Sequence, residues 1–213
     1  MDIQLLRRQL FRWFEKNERD FPWRHTKSPY HILIAETFLQ RTKANQVVPI
    51  YEKFLSAFPT PSDLAIADDQ LISDIVYPLG LAWRAKNLKQ TAFDILEKFD
   101  GTIPSEREQL LMIKGVGDYV TDCVRYLGFD IRTSIIDSNV VRIIGRIYGV
   151  ETHAESRRNK RFRELADELL PKRAFRKFNL AILDLGALVC VRNPKCKVCP
   201  IKTHCSYYTK PVY

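Results

Sequence analysis

Four cysteines near the C-terminus carry the clearest chemical signal in this chain. Cys190, Cys196, Cys199 and Cys205 are spaced C-x5-C-x2-C-x5-C, and Pro194 and Pro200 bend the chain between them. Four thiolates brought that close can satisfy a tetrahedral metal ion or a cubane cluster. Spacing alone does not choose between Zn²⁺ and iron–sulfur. Arg192, Lys195 and Lys197 surround the loop and could touch a phosphate backbone. The fifth cysteine, Cys123, sits on an apolar helical face and reads as core.

A second signal is Gly115-Val116-Gly117, preceded by Lys114. Two glycines so close favour a tight turn with positive φ. The first N–H groups of a helix beginning there lack intrahelical partners, and the dipole favours an anion such as a phosphate. An ordinary αα-hairpin turn fits the same three residues. Asp137 stands just before Asn139, Val140 and Val141 and reads as the N-cap of a helix. Amides at a cap bond the carboxylate and keep it ionised. Glu36 is embedded in the apolar run from Tyr30 to Arg41. A carboxyl there is costly unless paired or functional. Burial would raise its pKa and suit it to proton transfer, and a salt bridge to an arginine is the structural alternative.

The elements that position these groups all read as helices. Leu6, Leu10, Trp13 and Phe14 give an apolar face near the start. Further helices are expected over Tyr30–Arg41 and near Val47–Phe58, Ser62–Val76, Ala82–Phe99, Asn139–Tyr148, Arg161–Leu170 and Phe175–Val189. Ser105 and Glu108 stand at capping-box spacing and should open a short helix that stops at Gly115. Val120, Cys123, Val124 and Leu127 mark one face of the helix beyond. No alternating run is long enough for a strand, so the chain reads as all-α.

The 213 residues carry a formal charge of +9, which makes a polyanion the first partner to consider. No apolar run is long enough to span a membrane. The N-terminus lacks the order of a signal peptide, so an intracellular, reducing location is expected.

Taken together, Gly115-Val116-Gly117, Asp137 and the four-cysteine loop resemble the iron–sulfur branch of the helix–hairpin–helix DNA glycosylase superfamily. The likeness covers nearly the whole chain. Arg19-Asp20-Phe21-Pro22-Trp23-Arg24, Glu36 to Thr42 and Asn179 to Cys190 also look like motifs of that family. The resemblance implies two helical lobes with a DNA-facing cleft between them. One lobe, 22–132, carries the hairpin. The other combines 1–21 with 133–213 and holds a [4Fe–4S] cluster in the loop 190–205, with zinc as the alternative. The departures are a first cysteine gap of five residues rather than six, Lys114 in place of proline, and Asp118 beside the turn.

Residue roles follow from the same likeness. Asp137 would stabilise the positive charge that develops on deoxyribose as the N-glycosidic bond breaks. Tyr119 stands where the glycosylase/lyase members have lysine. A phenol cannot form a Schiff base, so a monofunctional glycosylase is implied. Glu36 matches the acid of the adenine-specific enzymes. Gln40 and Arg41 look like wedge residues that fill the gap left by a flipped base. Lys114, Gly115, Val116, Gly117 and Arg142 are candidates for DNA contact. So are Lys86, Lys89, Arg146, Arg157, Arg158, Lys160, Arg161, Lys172, Arg173 and Lys177, although each singly also fits a solvated face.

The implied partner is duplex DNA with a mismatched or damaged base, bound by a monomer in the nucleoid. Thymine or uracil opposite guanine is the favoured target. The chain ends shortly after Cys205, without the further domain usual in adenine enzymes of MutY type, and its ending resembles the thymine-specific ones. Phe58-Pro-Thr and Leu39-Gln40 look more like the adenine class, which stays open. So does a DNA-binding module without catalysis.

Overall fold

Helices make up all the regular structure among the described residues, 1–80 and 83–209, of the computed structural model. In chain order they are α1 (Ile3–Asn17), α2 (Pro29–Leu39), α3 (Ala44–Ala57), α4 (Pro61–Ile66), α5 (Asp69–Val76), α6 (Trp83–Phe99), α7 (Arg107–Leu111), α8 (Asp118–Gly128), α9 (Ser138–Tyr148), α10 (Lys160–Leu169), α11 (Phe175–Leu188) and α12 (Ser206–Thr209). The expected start of α6, Ala82, lies outside the described residues. The chain divides into two compact units. One is Asp20–Ile131; the other joins Met1–Arg19 to the chain from Arg132 onward.

The unit 20–131 is built around α2. Ser28 caps it by accepting from His31 N–H at 3.3 Å, and Pro29 opens its first turn. Ile32, Leu33, Ile34, Ala35 and Phe38 are fully buried, so α2 is covered on nearly every side. It lies against α8 closely enough that a Cβ on Gly128 would stand 3.3 Å from the Pro29 backbone. Phe38, Phe54 and Phe58 stack edge to face at 5.1 and 5.0 Å. Each such pair contributes about 1 kcal/mol beyond its buried area.

Three local expectations are corrected here. The helix expected over Ser62–Val76 is two, because the Asp68 side chain captures the N–H groups of Gln70 and Leu71 and starts a new helix. α2 stops at Leu39 rather than Arg41, since Gln40 is extended and Arg41 is left-handed at φ 62°. The capping box of Ser105 and Glu108 does not form. Glu106 is the N-cap residue and makes no side-chain cap bond, while Ser105 Oγ turns to Glu106 at 3.4 Å.

In the other unit, α1 buries Leu6, Leu10 and Phe14 and packs along α11. Buried Asp184 on α11 accepts from Arg19 N at 3.0 Å and from Arg19 Nε at 2.6 Å. Leaving that carboxylate without its arginine would be strongly destabilising, by about 3 kcal/mol or more. α9 packs against α10, α11 and α12. Asp137 opens α9, and left-handed Gly149 closes it.

Candidate active site

The chain turns between α7 and α8 on a single positive-φ residue, Gly115 at 82°. Gly117 is extended, at φ −103° and ψ −178°, a conformation open to any residue. A Cβ there would meet nothing within 4 Å. Neither backbone nor packing therefore requires glycine at 117. Its bare Cα leaves the first amides of α8 open, and no side chain caps that helix. Such amides form a ready anion site.

Two buried residues of α6 hold the turn. Thr91 Oγ1 donates to Lys114 O at 2.7 Å, and Asp94 Oδ2 accepts from Lys114 N–H at 2.7 Å. Burial pushes Asp94 upward, but bonds from Lys98, the Lys114 amide and Gln90 outweigh it and hold the carboxyl below its usual range. Nothing local in the sequence marks these partners. Asp118, an unwelcome charge beside an anion site, is bound by the Arg107 guanidinium, which also holds buried Asp122. Arg107 thus offsets part of the negative charge beside the hairpin.

Asp137 caps α9 as its spacing suggests. Its Oδ1 accepts from Val140 N–H at 2.7 Å and its Oδ2 from Asn139 Nδ2 at 2.8 Å. The cap bonds were expected to keep the carboxylate ionised. Burial outweighs them and the nearby Arg142, and pushes the pKa above the ordinary value. Behind it, Asn139 Oδ1 accepts from Arg142 Nη2 at 2.9 Å. Arg142 also donates from Nε to Cys190 O at 2.8 Å and from Nη2 to Gly186 O at 3.0 Å. A Cβ on Gly186 would stand 2.9 Å from Asn139 Cβ, so Asn139 sits in a space that only glycine leaves open.

Within the unit 20–131, Glu36 is buried at 4% exposure on α2. Tyr119 is half-buried in the first turn of α8, two residues past Gly117. Gln40 is half-buried, and Arg41 is exposed.

The four cysteines are half-buried and line one small cavity with Val189, Pro194, Tyr207 and Tyr208. Arg146 ties the loop down. It donates to Cys190 Sγ at 3.3 Å, to Val191 O at 2.7 Å and to Arg192 O at 2.8 Å, and it lies over the Tyr207 ring. Cys205 Sγ donates to Arg146 O at 3.3 Å. Burial pushes the Cys199 thiol up to about 11, and the neighbouring thiols add to it. Among the described residues no three His, Cys, Asp or Glu side chains are grouped as a single metal ion would need. The all-sulfur donor set around one shared cavity is one that a cluster or a zinc ion takes.

Residues 34–169 match the family described as HhH-GPD superfamily base excision DNA repair protein. The chain belongs to the HhH-GPD superfamily. It is 36% identical over 200 residues to a thymine/uracil-DNA glycosylase of Methanothermobacter thermautotrophicus, covering 93% of this chain and 90% of that one. It is 31% identical to an adenine DNA glycosylase of Buchnera aphidicola over 93% of this chain and 57% of the relative. A solved thermostable thymine-DNA glycosylase superposes with a TM-score of 0.92 at 35% identity, covering 98% and 97% of the two chains.

For this HhH-GPD member, several cations expected at phosphates have partners within the chain, those of Arg158 and Lys160 being exposed surface pairs. Arg142 and Arg146 bind the cysteine loop as described. Lys89 binds Ala67 O and Asp69, Arg158 binds Glu155, Lys160 pairs with Glu164, and Lys177 binds Glu15. Lys86, Arg157, Arg161, Lys172 and Arg173 are exposed. No helix among the described residues is long and apolar enough to cross a membrane.

Proposed function

We propose that this HhH-GPD protein is a monofunctional DNA glycosylase that removes thymine or uracil opposite guanine from duplex DNA. The observation that carries the reading is the 36% identity, over nearly the full length of both chains, to a thymine/uracil-DNA glycosylase. The adenine-specific relative is less similar and matches over about half its length, which makes adenine the second choice.

The residues then divide the work. The open amides of α8 and the backbone at Lys114, Gly115, Val116 and Gly117 hold a phosphate of the bound strand. Gln40 and Arg41 fill the space left when the target nucleotide leaves the stack. Asp137 supplies the carboxylate that stabilises the cationic sugar as the bond to the base breaks. Glu36, buried on an apolar helix, handles the proton of the leaving base or of water. Tyr119 offers no amine, so the base is released and the sugar stays in the strand as an intact abasic site.

Cys190, Cys196, Cys199 and Cys205 would hold a [4Fe–4S] cluster. Four cysteine sulfurs lining one cavity, in a chain that resembles the iron–sulfur branch of its superfamily, support this reading, and zinc is the alternative. When bound, it would cross-link the loop, each cysteine thiol losing its proton and bonding iron as the thiolate. Arg142 and Arg146 hold the loop backbone from α9, the helix that Asp137 caps.

A panel of G:T, G:U, A:G and A:8-oxoguanine duplexes, treated with alkali to reveal abasic sites, tests the target. Cleavage of the G:T and G:U duplexes is expected. Cleavage confined to the adenine-containing duplexes would transfer the enzyme to the other class, and none at all would leave a binding module.

A further inference from the structure

The unit holding Asp137 carries a groove of about 600 Å³ between the start of α1 and the end of α10. Five cations line it: Arg7, Arg8, Arg132, Lys172 and Arg173. The groove is at the N-terminal end of α11, whereas the cysteine loop follows the C-terminal end. The 14 residues of that helix separate the two by about 20 Å.

Two of the arginines are fixed by the backbone. Arg7 donates from Nε to Leu169 O and from Nη2 to Glu168 O, both at 2.9 Å. Arg132 donates to Pro171 O at 3.2 Å, Asp167 O at 3.1 Å and Leu170 O at 2.7 Å. Both guanidinium groups are thus gathered at the carbonyl end of α10. Asp167 and Glu168 also line the groove. Even so, no side-chain ion pair forms to any of the five cations among the described residues. Arg8, Lys172 and Arg173 are exposed.

Structural arginines that cap a helix end do not need three more cations beside them. Fixed guanidinium forks flanked by exposed cations suit an anion with several oxygens in a row. We propose that this groove binds the sugar-phosphate backbone of a polynucleotide, as a contact separate from the hairpin. The proposal extends the DNA-glycosylase reading but does not need the chemistry to be right.

The test uses a mismatch-free duplex and the full-length protein. Arg8→Glu/Arg173→Glu changes two exposed side chains, and Lys27→Glu/Lys53→Glu makes the same change of charge elsewhere on the surface. The slope of log affinity against log salt should become shallower by about 2 in the first pair and stay as in the wild type in the second. Lys172→Glu alone should reduce it by about 1. Equal effects in the two pairs would show a general field and overturn the site, as would an unchanged slope in Arg8→Glu/Arg173→Glu. Inorganic phosphate raising the melting temperature of the wild type but not of Arg8→Glu/Arg173→Glu, with slopes unaltered, would make it a small-anion site and overturn the polynucleotide. Base release on the mismatch panel is scored separately. Loss of the slope effect with catalysis intact sinks only this proposal, and a slope effect without any base release sinks only the enzymatic reading.

Discussion

Asn139 Nδ2 donates to Asp137 Oδ2 at 2.8 Å, while the other end of the same amide accepts from Arg142. Asn139 can therefore present its N–H to the carboxylate in one orientation only. Asn139→Ala and Arg142→Gln should slow the single-turnover rate roughly 10- to 100-fold, the range seen when a functional group loses its supporting shell. DNA affinity should change little. Arg142→Lys should not restore the rate, because one ammonium cannot reach the acceptors that the fork serves. Gly186→Ala should lower stability by about 1 to 3 kcal/mol through overpacking against Asn139 and should slow base release with it. An unchanged rate in all of these variants would mean that Asp137 positions itself.

The pH dependence follows from Asp137. Burial raises its folded-state pKa above the unfolded value, so the folded protein binds the proton more tightly. The stabilisation is complete below the unfolded pKa and is lost as pH rises through the folded one. Activity runs the opposite way, since only the ionised form stabilises the cationic sugar. Single-turnover rates should rise across an acid limb displaced above the usual carboxylate range. Over that interval the wild type should lose stability relative to Asp137→Asn in paired melts. Parallel melting curves at all pH values would contradict the burial argument.

The two hairpin glycines should respond differently. Gly115→Ala places a side chain at φ 82° and should cost about 1 kcal/mol or more in stability. Gly117→Ala has ordinary backbone angles and open space, so its melting temperature should match the wild type. If the α8 amides hold a phosphate, the added methyl weakens duplex binding by about tenfold, a charge-assisted contact's worth. Unaltered affinity in Gly117→Ala would reduce the turn to a plain helix connection.

Tyr119 decides what remains after the base departs. Incubation with mismatched duplex and borohydride should trap no covalent adduct, and abasic product should appear only after alkali. Tyr119→Lys places an amine at the first turn of α8 and is the variant in which trapping should first be seen. Efficient trapping by the wild type would remove the monofunctional assignment.

Metal analysis of protein purified without oxygen should give iron in excess of zinc, with the broad visible absorbance of an iron–sulfur cluster. Serine at Cys190, Cys196, Cys199 or Cys205 should reduce both. Cys123→Ser should leave the iron in place while destabilising the core in which it is fully buried. Zinc at one atom per chain would assign the loop to a structural ion.

What the sequence determined by itself is the chemistry carried over short distances. Asp137 as a cap, the turn at Gly115 and the helices around them depend on bonds three or four residues apart, and residue type at that spacing nearly decides them. The same locality explains the errors. Asp68 won a cap that hydrophobic spacing does not reveal, and Ser105 lost the N-cap position to Glu106, whose side chain caps nothing. The tertiary structure decided how the candidate residues are supported. Arg142 meets Cys190 across 48 positions, Thr91 meets Lys114 across 23, and Arg107 pairs with Asp118 across 11. A guanidinium looks the same in a sequence whether it faces a phosphate or a buried carbonyl. Only packing brings one acceptor or the other within reach, and the low dielectric of the interior then makes that bond costly to give up.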